Sequence, residues 1–143
     1  MRENKFRVYC EFEINGRLEK SMESPASWFL MTQTGKLWTY GPGEIPHPLE
    51  KEYKKAIPLF YTGLKDKEKK KIFEGDILEI DDDWESGEGE RGVVRWDEKD
   101  AMFRLFCYTK YGGEGWLMGE NRTWTKLKII GNIYEDRNLL NGK

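Results

Sequence analysis

Apolar and polar side chains alternate at the start of the chain: Phe6, Val8, Cys10, Phe12 and Ile14 are interleaved with Arg7, Tyr9, Glu11 and Glu13. A period of two sends one set to each face of a strand, so the first set is expected inside and Tyr9 outside. Asn15-Gly16 then marks a hairpin turn. A two-residue loop would set Leu18 opposite Glu13 on the polar face. A three-residue loop with Gly16 left-handed pairs Ile14 with Leu18, and the hydrophobic register favours this bulged version. Trp28 to Thr32 and Leu37 to Tyr40, joined across Thr34-Gly35, read as a second hairpin. Gly41 to Pro48 reads as a loop. From Leu49 to Ile57 the pattern is helical: Leu49, Tyr53 and Ile57 share a face, Glu50 and Lys54 suit an i,i+4 ion pair, and Pro58 stops the run.

Farther on, Leu59-Phe60-Tyr61 and Ile77 to Ile80 are strands around the charged stretch Lys65 to Lys71. Val93 to Trp96 and Ala101 to Tyr108 form a hairpin across Asp97 to Asp100. Trp116 to Met118 and Leu127 to Tyr134 are the last strands, and Asp136 caps a short tail. Many short strands with turns between them predict a mainly β fold. The expectation is a single small domain, residues 1–143, of short antiparallel strands forming a barrel or sandwich, with one or two short helices.

Composition decides whether such a chain folds at all. Leu, Ile, Val and Phe supply 31 of 143 residues, a share at which disorder becomes a competitor. The 6 Trp, 7 Tyr and 7 Phe settle the matter, because each ring can bury on the order of 150–250 Å². Trp38 and Trp96 lie within strand runs and are expected to pack inside. Trp84, in an acidic loop, and Trp124, between two threonines, are candidates for an exposed rim that anchors a partner.

Several function classes drop out. No apolar run approaches the roughly 20 residues that span a bilayer, and Met1 to Lys5 lacks the apolar stretch of a secretory signal. The chain is therefore read as soluble and cytoplasmic, with Cys10 and Cys107 as buried, reduced thiols. The single histidine, His47, lies between Pro46 and Pro48 and reads as part of a stiff extended loop. Gly87-Glu88-Gly89-Glu90-Arg91-Gly92 has the spacing of a dinucleotide-binding loop, but a strand follows it and the nearby carboxylates repel phosphate. Asp81, Asp83 and Glu85 occupy the first three ligand positions of a calcium loop, yet Ser86 stands where glycine is needed and Gly92 where the bidentate glutamate belongs. No nucleophile elbow, zinc motif or phosphate loop is present. No catalytic residue, metal ligand or cofactor is assigned, and the chain is read as no enzyme.

Charge is nearly balanced overall, with 24 basic and 26 acidic residues, but unevenly spread. Residues 50–71 hold eight lysines against four acids, and residues 74–90 hold nine acids and no base. Lys65, Lys67, Lys69, Lys70 and Lys71, with Tyr61 and Phe73 nearby, could track a phosphate backbone while bases stack on rings. The neighbouring acids oppose a polyanion, and a solvated hairpin tip is the plainer reading.

Three blocks resemble the YopX family of phage and prophage proteins: Lys5-Phe6-Arg7-Val8-Tyr9, then Tyr61-Thr62-Gly63-Leu64-Lys65-Asp66-Lys67 through Ile72-Phe73-Glu74-Gly75-Asp76-Ile77-Leu78, and Ile130-Gly131-Asn132-Ile133-Tyr134-Glu135. The middle block is the specific one. Where family members often have Asn-Gly before the Glu-Gly-Asp segment, this chain has Glu68-Lys69, which implies a type I or longer turn there. The resemblance implies a small, mostly β protein encoded among temperate-phage genes of Gram-positive bacteria, and it supplies no catalytic residues. Gly75-Asp76-Ile77 followed by Gly92-Val93-Val94 also resembles an SH3-like barrel element, in which a Gly-Asp turn opens a strand that pairs with the next.

These readings converge on a phage or prophage accessory protein in the bacterial host. It acts by binding a host or phage protein through an exposed strand edge or an aromatic rim, with Trp84, Trp124, Tyr61 and Phe73 as candidates. Nucleic-acid binding through Lys65 to Lys71 is the alternative, and a metal-assisted hydrolase using the acidic loop is a second one. Unpaired strand edges leave homo-oligomers open.

Overall fold

Strand β1 (Phe6–Ile14) turns at Asn15-Gly16 into β2 (Arg17–Glu23). In this computed structural model, which describes residues 6–24, 28–49, 53–79, 91–108, 114–116 and 127–140, Ile14 faces Arg17 and Leu18 faces Glu13. The loop is thus the two-residue one and not the bulged one expected. Asn15 and Gly16 take φ of 52° and 78°, the left-handed pair of a type I′ turn. Burial does not set the register at this end, because Ile14 and Leu18 are 50% and 55% exposed. Turn chemistry decides instead.

Two compact units divide the chain after Phe60. In the first, β1 lies between β2 and the start of β6 (Tyr53–Lys65). A second, smaller sheet joins β3 (Phe29–Met31), β4 (Leu37–Thr39) and β5 (His47–Pro48). The expected second hairpin is the β3–β4 pair, and His47 and Pro48 add an edge strand to what was read as loop. Val8, Cys10, Phe29 and Leu37 form the core, with Phe6, Phe12, Met31, Leu49, Tyr53 and Ala56 packed around them. Tyr9 is buried too, contrary to its expected outward position, and its hydroxyl donates to Glu11 Oε1 at 2.9 Å.

The helix expected over Leu49 to Ile57 does not form; Tyr53 to Ile57 are strand, antiparallel to β1. The reason is a bulge. Phe12 faces Tyr53 and Glu11 faces Lys55, which leaves Lys54 as an extra residue. Tyr53 and Ala56, opposite Phe12 and Cys10, therefore pack on the same core as Leu49, whereas Ile57 stands opposite Tyr9 on the other face, so the spacing that suggested a helix joined residues of two strand faces. Pro58 is tolerated because, among the described residues, this part of β6 pairs with β1 alone, and the pairing with β7 (Lys71–Phe73) begins at Tyr61. Among the described residues the only helical element is a single 3-10 turn, Arg137–Leu140.

In the second unit the end of β6 pairs with β7, and a five-stranded antiparallel sheet follows. Its members are β8 (Asp76–Glu79), β9 (Arg91–Asp97), β10 (Met102–Tyr108), β11 (Glu114–Trp116) and β12 (Lys128–Asn132), in the order β11-β10-β9-β8-β12. The pairing expected from the SH3-like element is present, with Ile77 opposite Val93 and Leu78 opposite Gly92. Ile72, Leu78, Val94, Leu105, Cys107 and Leu127 make an aliphatic core. A Cβ on Gly92 would stand 2.5 Å from Leu105 Cγ, so this glycine serves close packing between strands and not a phosphate loop. Trp96, expected inside, is 44% exposed and rests edge-on against Phe103 at 4.9 Å. Val93 and Val94 are buried on both sides of the same strand, so alternation alone did not reveal which face is solvated.

Candidate functional site

The β6–β7 hairpin carries most of the described candidates. Thr62, Gly63 and Leu64 of β6 oppose Ile72 alone, with Gly63 at a φ of 87°. The Thr62 hydroxyl donates to the Ile72 carbonyl at 2.8 Å and accepts the Leu64 N–H at 3.1 Å, which replaces ladder bonds the bulge removes. Beyond it the chain turns at Asp66. Lys69 N–H bonds to the Asp66 carbonyl and Asp66 N–H to the Lys70 carbonyl, each at 2.9 Å, while Lys69 itself takes a φ of 64°. This is the longer turn implied by Glu68-Lys69, with a lysine where glycine or asparagine is usual.

Asp66 holds the hairpin together. Its side chain is almost fully buried; Oδ1 accepts the N–H groups of Glu68 and Lys70, both at 2.9 Å, and Oδ2 accepts that of Ile129 at 3.1 Å. Burial pushes its carboxyl up, but the three N–H donors from Ile129, Lys70 and Glu68, with the Lys70 ammonium, outweigh that and hold it below its ordinary value. The consequence for the surface is simple. Sequence arithmetic sets Asp66 against all the lysines, whereas its carboxylate is turned inward onto backbone N–H groups, with the Lys70 ammonium as a cationic neighbour.

Lys65, Lys67, Lys69, Lys70 and Lys71 are all exposed. Lys65 and Lys71 are cross-strand partners, and Lys128 of β12 joins them, its ammonium 3.8 Å from Glu68, which also lies 3.4 Å from Lys70. Lys128 carried no signal in sequence because it lies 57 positions beyond Lys71. Of the aromatic candidates, Phe73 is buried and tilted against Tyr61 at 5.6 Å, and Lys71 sits 5.6 Å from the centre of the half-buried Tyr61 ring. Both rings are engaged within the hairpin. Trp84, Trp124 and the acidic positions Asp81, Asp83 and Glu85 lie outside the described residues.

A second surface was missed. Cross-strand pairing puts Leu30 opposite Trp38, while Phe29, Thr39, Met31 and Leu37 form the alternate pairs of β3 and β4. Phe29, Met31 and Leu37 face the core, which leaves Leu30 and Trp38 on the other face. Trp28 packs edge-on against Tyr40 at 5.5 Å and accepts, at its carbonyl, the Thr39 hydroxyl at 2.8 Å. Trp28, Leu30 and Ile45 are 48%, 44% and 85% exposed. The signal was present in Trp28 to Met31, a run apolar at every position, because such a run cannot bury both faces in a three-strand sheet.

No helix of the described residues is long and apolar enough to cross a membrane. The profile of the family described as YopX protein matches residues 5–141. No curated protein matches the chain.

Proposed function

The chain belongs to the YopX family, and from that premise we propose that it is a phage or prophage accessory protein that works in the host cytoplasm by binding another protein. The observation that carries this reading is the exposed apolar face of the β3–β4 hairpin, where Trp28 and Leu30 stand in solvent beside Trp38 and Tyr40. Indole and phenol rings in such a setting supply contact area at low entropic cost and are over-represented among residues that dominate binding energy. The face binds a host or phage protein. Capture from host lysate by the intact chain should yield a protein lost with Trp28→Ser/Leu30→Ser and retained with Lys65→Glu/Lys71→Glu. Equal capture by both variants would sink the reading, and self-association abolished by Leu30→Ser would reassign the face to a second copy of the chain.

A second reading has its own support, the five exposed lysines of the hairpin with Lys128 near them, while the Asp66 carboxylate is turned onto backbone N–H groups. Such a tip can contact a nucleic-acid backbone. Oligonucleotide anisotropy at 50 mM salt (about the low end at which such contacts are strong) should then show binding that weakens steeply as salt rises. Absence of binding there removes it.

A further inference from the structure

Cys10, Phe12, Glu23, Trp28, Phe29, Thr39 and Tyr53 line a cavity of about 160 Å³ within the first unit. That is room for a small organic group and not for a single water alone. Its wall has an unusual make-up. Four of the seven side chains are aromatic rings, set at steep angles to their neighbours: Phe29 is edge-on to Tyr53 at 6.1 Å, and Phe12 is tilted to Tyr53 at 6.1 Å. Among the described residues the one carboxylate in the wall is that of Glu23, exposed at the end of β2, whose Oε1 accepts the Ser21 hydroxyl at 2.7 Å and is thereby held in place. No lysine or arginine among the described residues lines it.

Rings and one anion around a small cavity select a particular ligand chemistry. Aromatic faces are electron-rich and attract cations, most strongly organic ammonium ions, whose methyl or methylene groups tolerate loss of water. An anionic ligand would meet Glu23, and a neutral apolar one would leave its charge without use. We propose that this cavity binds an organic ammonium ion, seated among Phe12, Trp28, Phe29 and Tyr53 with its charge toward Glu23. The site does not depend on the protein-binding reading above: the ion can be a free small molecule or the end of a lysine side chain.

The test follows amide and indole resonances of the full chain while tetramethylammonium chloride is added, with sodium chloride at equal ionic strength as the blank. Saturable shifts should centre on Phe29, Thr39 and the Trp28 indole, and tert-butanol, similar in shape and neutral, should bind at least about fivefold more weakly. Glu23→Gln should weaken tetramethylammonium by about three- to tenfold and Trp28→Ala by about as much, while Lys128→Gln leaves it unchanged. Glu23 and Trp28 are exposed, so both variants should fold, which unchanged resonances of Val8 and Leu37 in the core of the same unit report. A capped Gly-Lys-Gly peptide binding tighter than n-butylammonium assigns the ion to a side chain, and the reverse order assigns it to a free cation. Shifts that never saturate, tert-butanol binding as well as tetramethylammonium, or indifference to Glu23→Gln would each overturn the site.

Discussion

Around Cys10 the core is assembled from rings: Phe6, Phe12, Phe29 and Tyr53 surround Val8 and Leu37, and a cavity of about 160 Å³ remains among them. Around Val94 it is assembled from Ile72, Leu78, Leu105 and Leu127, and a Cβ cannot be added at Gly92 without striking Leu105. The two units also differ in what holds their turns. Left-handed residues serve turns in both, Asn15, Gly16 and Gly35 at φ of 52°, 78° and 84° in the first and Lys69, Gly75 and Ala101 at 64°, 88° and 50° in the second. A side chain that supports a turn in the first, Thr32 accepting Lys36 N–H at 3.1 Å, is not buried. In the second, buried polar side chains bind backbone N–H groups: Asp66 as described, Asp76 to Phe73 at 2.8 Å, Asp97 to Lys99 at 3.0 Å, and Asn132 to Tyr134 and Glu135 at 3.0 Å. Aliphatic packing with carboxylate-tied turns gives a rigid frame, whereas tilted rings leave adaptable space. The surface with exposed aromatics and the cavity both belong to the ring-built unit, as that difference would suggest.

Core truncation should break the comparison most sharply. Leu78 is fully buried, so Leu78→Ala should cost about 4 kcal/mol. Leu37 is 9% exposed within a cluster of partly exposed rings that can close over the gap, so Leu37→Ala should cost about 2 kcal/mol. Chemical denaturation of the two variants checks this, and equal losses would mean the ring-built core is as tightly packed as the other.

Asp66 comes next. Asp66→Ala leaves the N–H groups of Glu68, Lys70 and Ile129 without their acceptor and should cost about 3 kcal/mol, nearly all in the second unit. Because its folded pKa is depressed, the stabilisation from ionised Asp66 is present above the ordinary carboxylate range and is lost as pH falls through the folded value. The gap between wild type and Asp66→Asn should therefore be widest near neutrality and shrink below about pH 4. A gap independent of pH would mean that the bonds, and not the charge, carry the effect.

How much of this was legible depended on whether local pattern and burial agreed. The β3–β4 and β9–β10 hairpins were readable because turn residues and period two point the same way at Thr34-Gly35 and Asp97 to Asp100, whereas at Asn15-Gly16 they point apart, so the β1–β2 hairpin was foreseen but its register was not. The start of β6 was not readable, since the extra residue at Lys54 breaks the period of two, and Pro58 looked like a stop. Tyr9 was expected in solvent and is covered, and Trp96 was expected inside and is exposed, because alternation names two faces without saying which is covered. The polarity of the lysine tip was misjudged for one residue alone: nothing local to Asp66 announces that Ile129, far along the chain, will donate to it. Trp28 and Glu23 meet across two hairpins and one cavity, a juxtaposition that only tertiary structure supplies.

Thiol chemistry compares the units directly, since each buries one cysteine that forms no disulfide. Burial, aided by the negative charge of Glu23, pushes Cys10 up to about 11, so its thiolate is scarce at pH 8 (about three units lower) even when reagent arrives. Both thiols should resist labelling in the native chain and react on adding denaturant. If the ring-built unit opens more readily, Cys10 should become labelled at lower denaturant than Cys107, and the opposite order would reverse the ranking of the two cores.

The smallest expected effect concerns the turn that departs from the family's usual residues. Lys69 occupies the left-handed region with a φ of 64°, a conformation that costs a side-chain-bearing residue about 1 kcal/mol or more and glycine almost nothing. Glycine also enlarges the freedom of the unfolded chain, which offsets part of the gain. Lys69→Gly should therefore stabilise the protein by about 0.5 kcal/mol, read as a small upward shift of the denaturation midpoint with an unchanged slope. The ammonium group is removed in the same step, so Lys69→Gln, which loses the charge but keeps the left-handed penalty, separates backbone relief from lost charge repulsion. A gain with Lys69→Gly and none with Lys69→Gln locates the strain in the backbone; an equal gain in both assigns it to charge, and a loss with Lys69→Gly would mean that the Asp66 turn is held firmly enough for the left-handed lysine to carry no penalty.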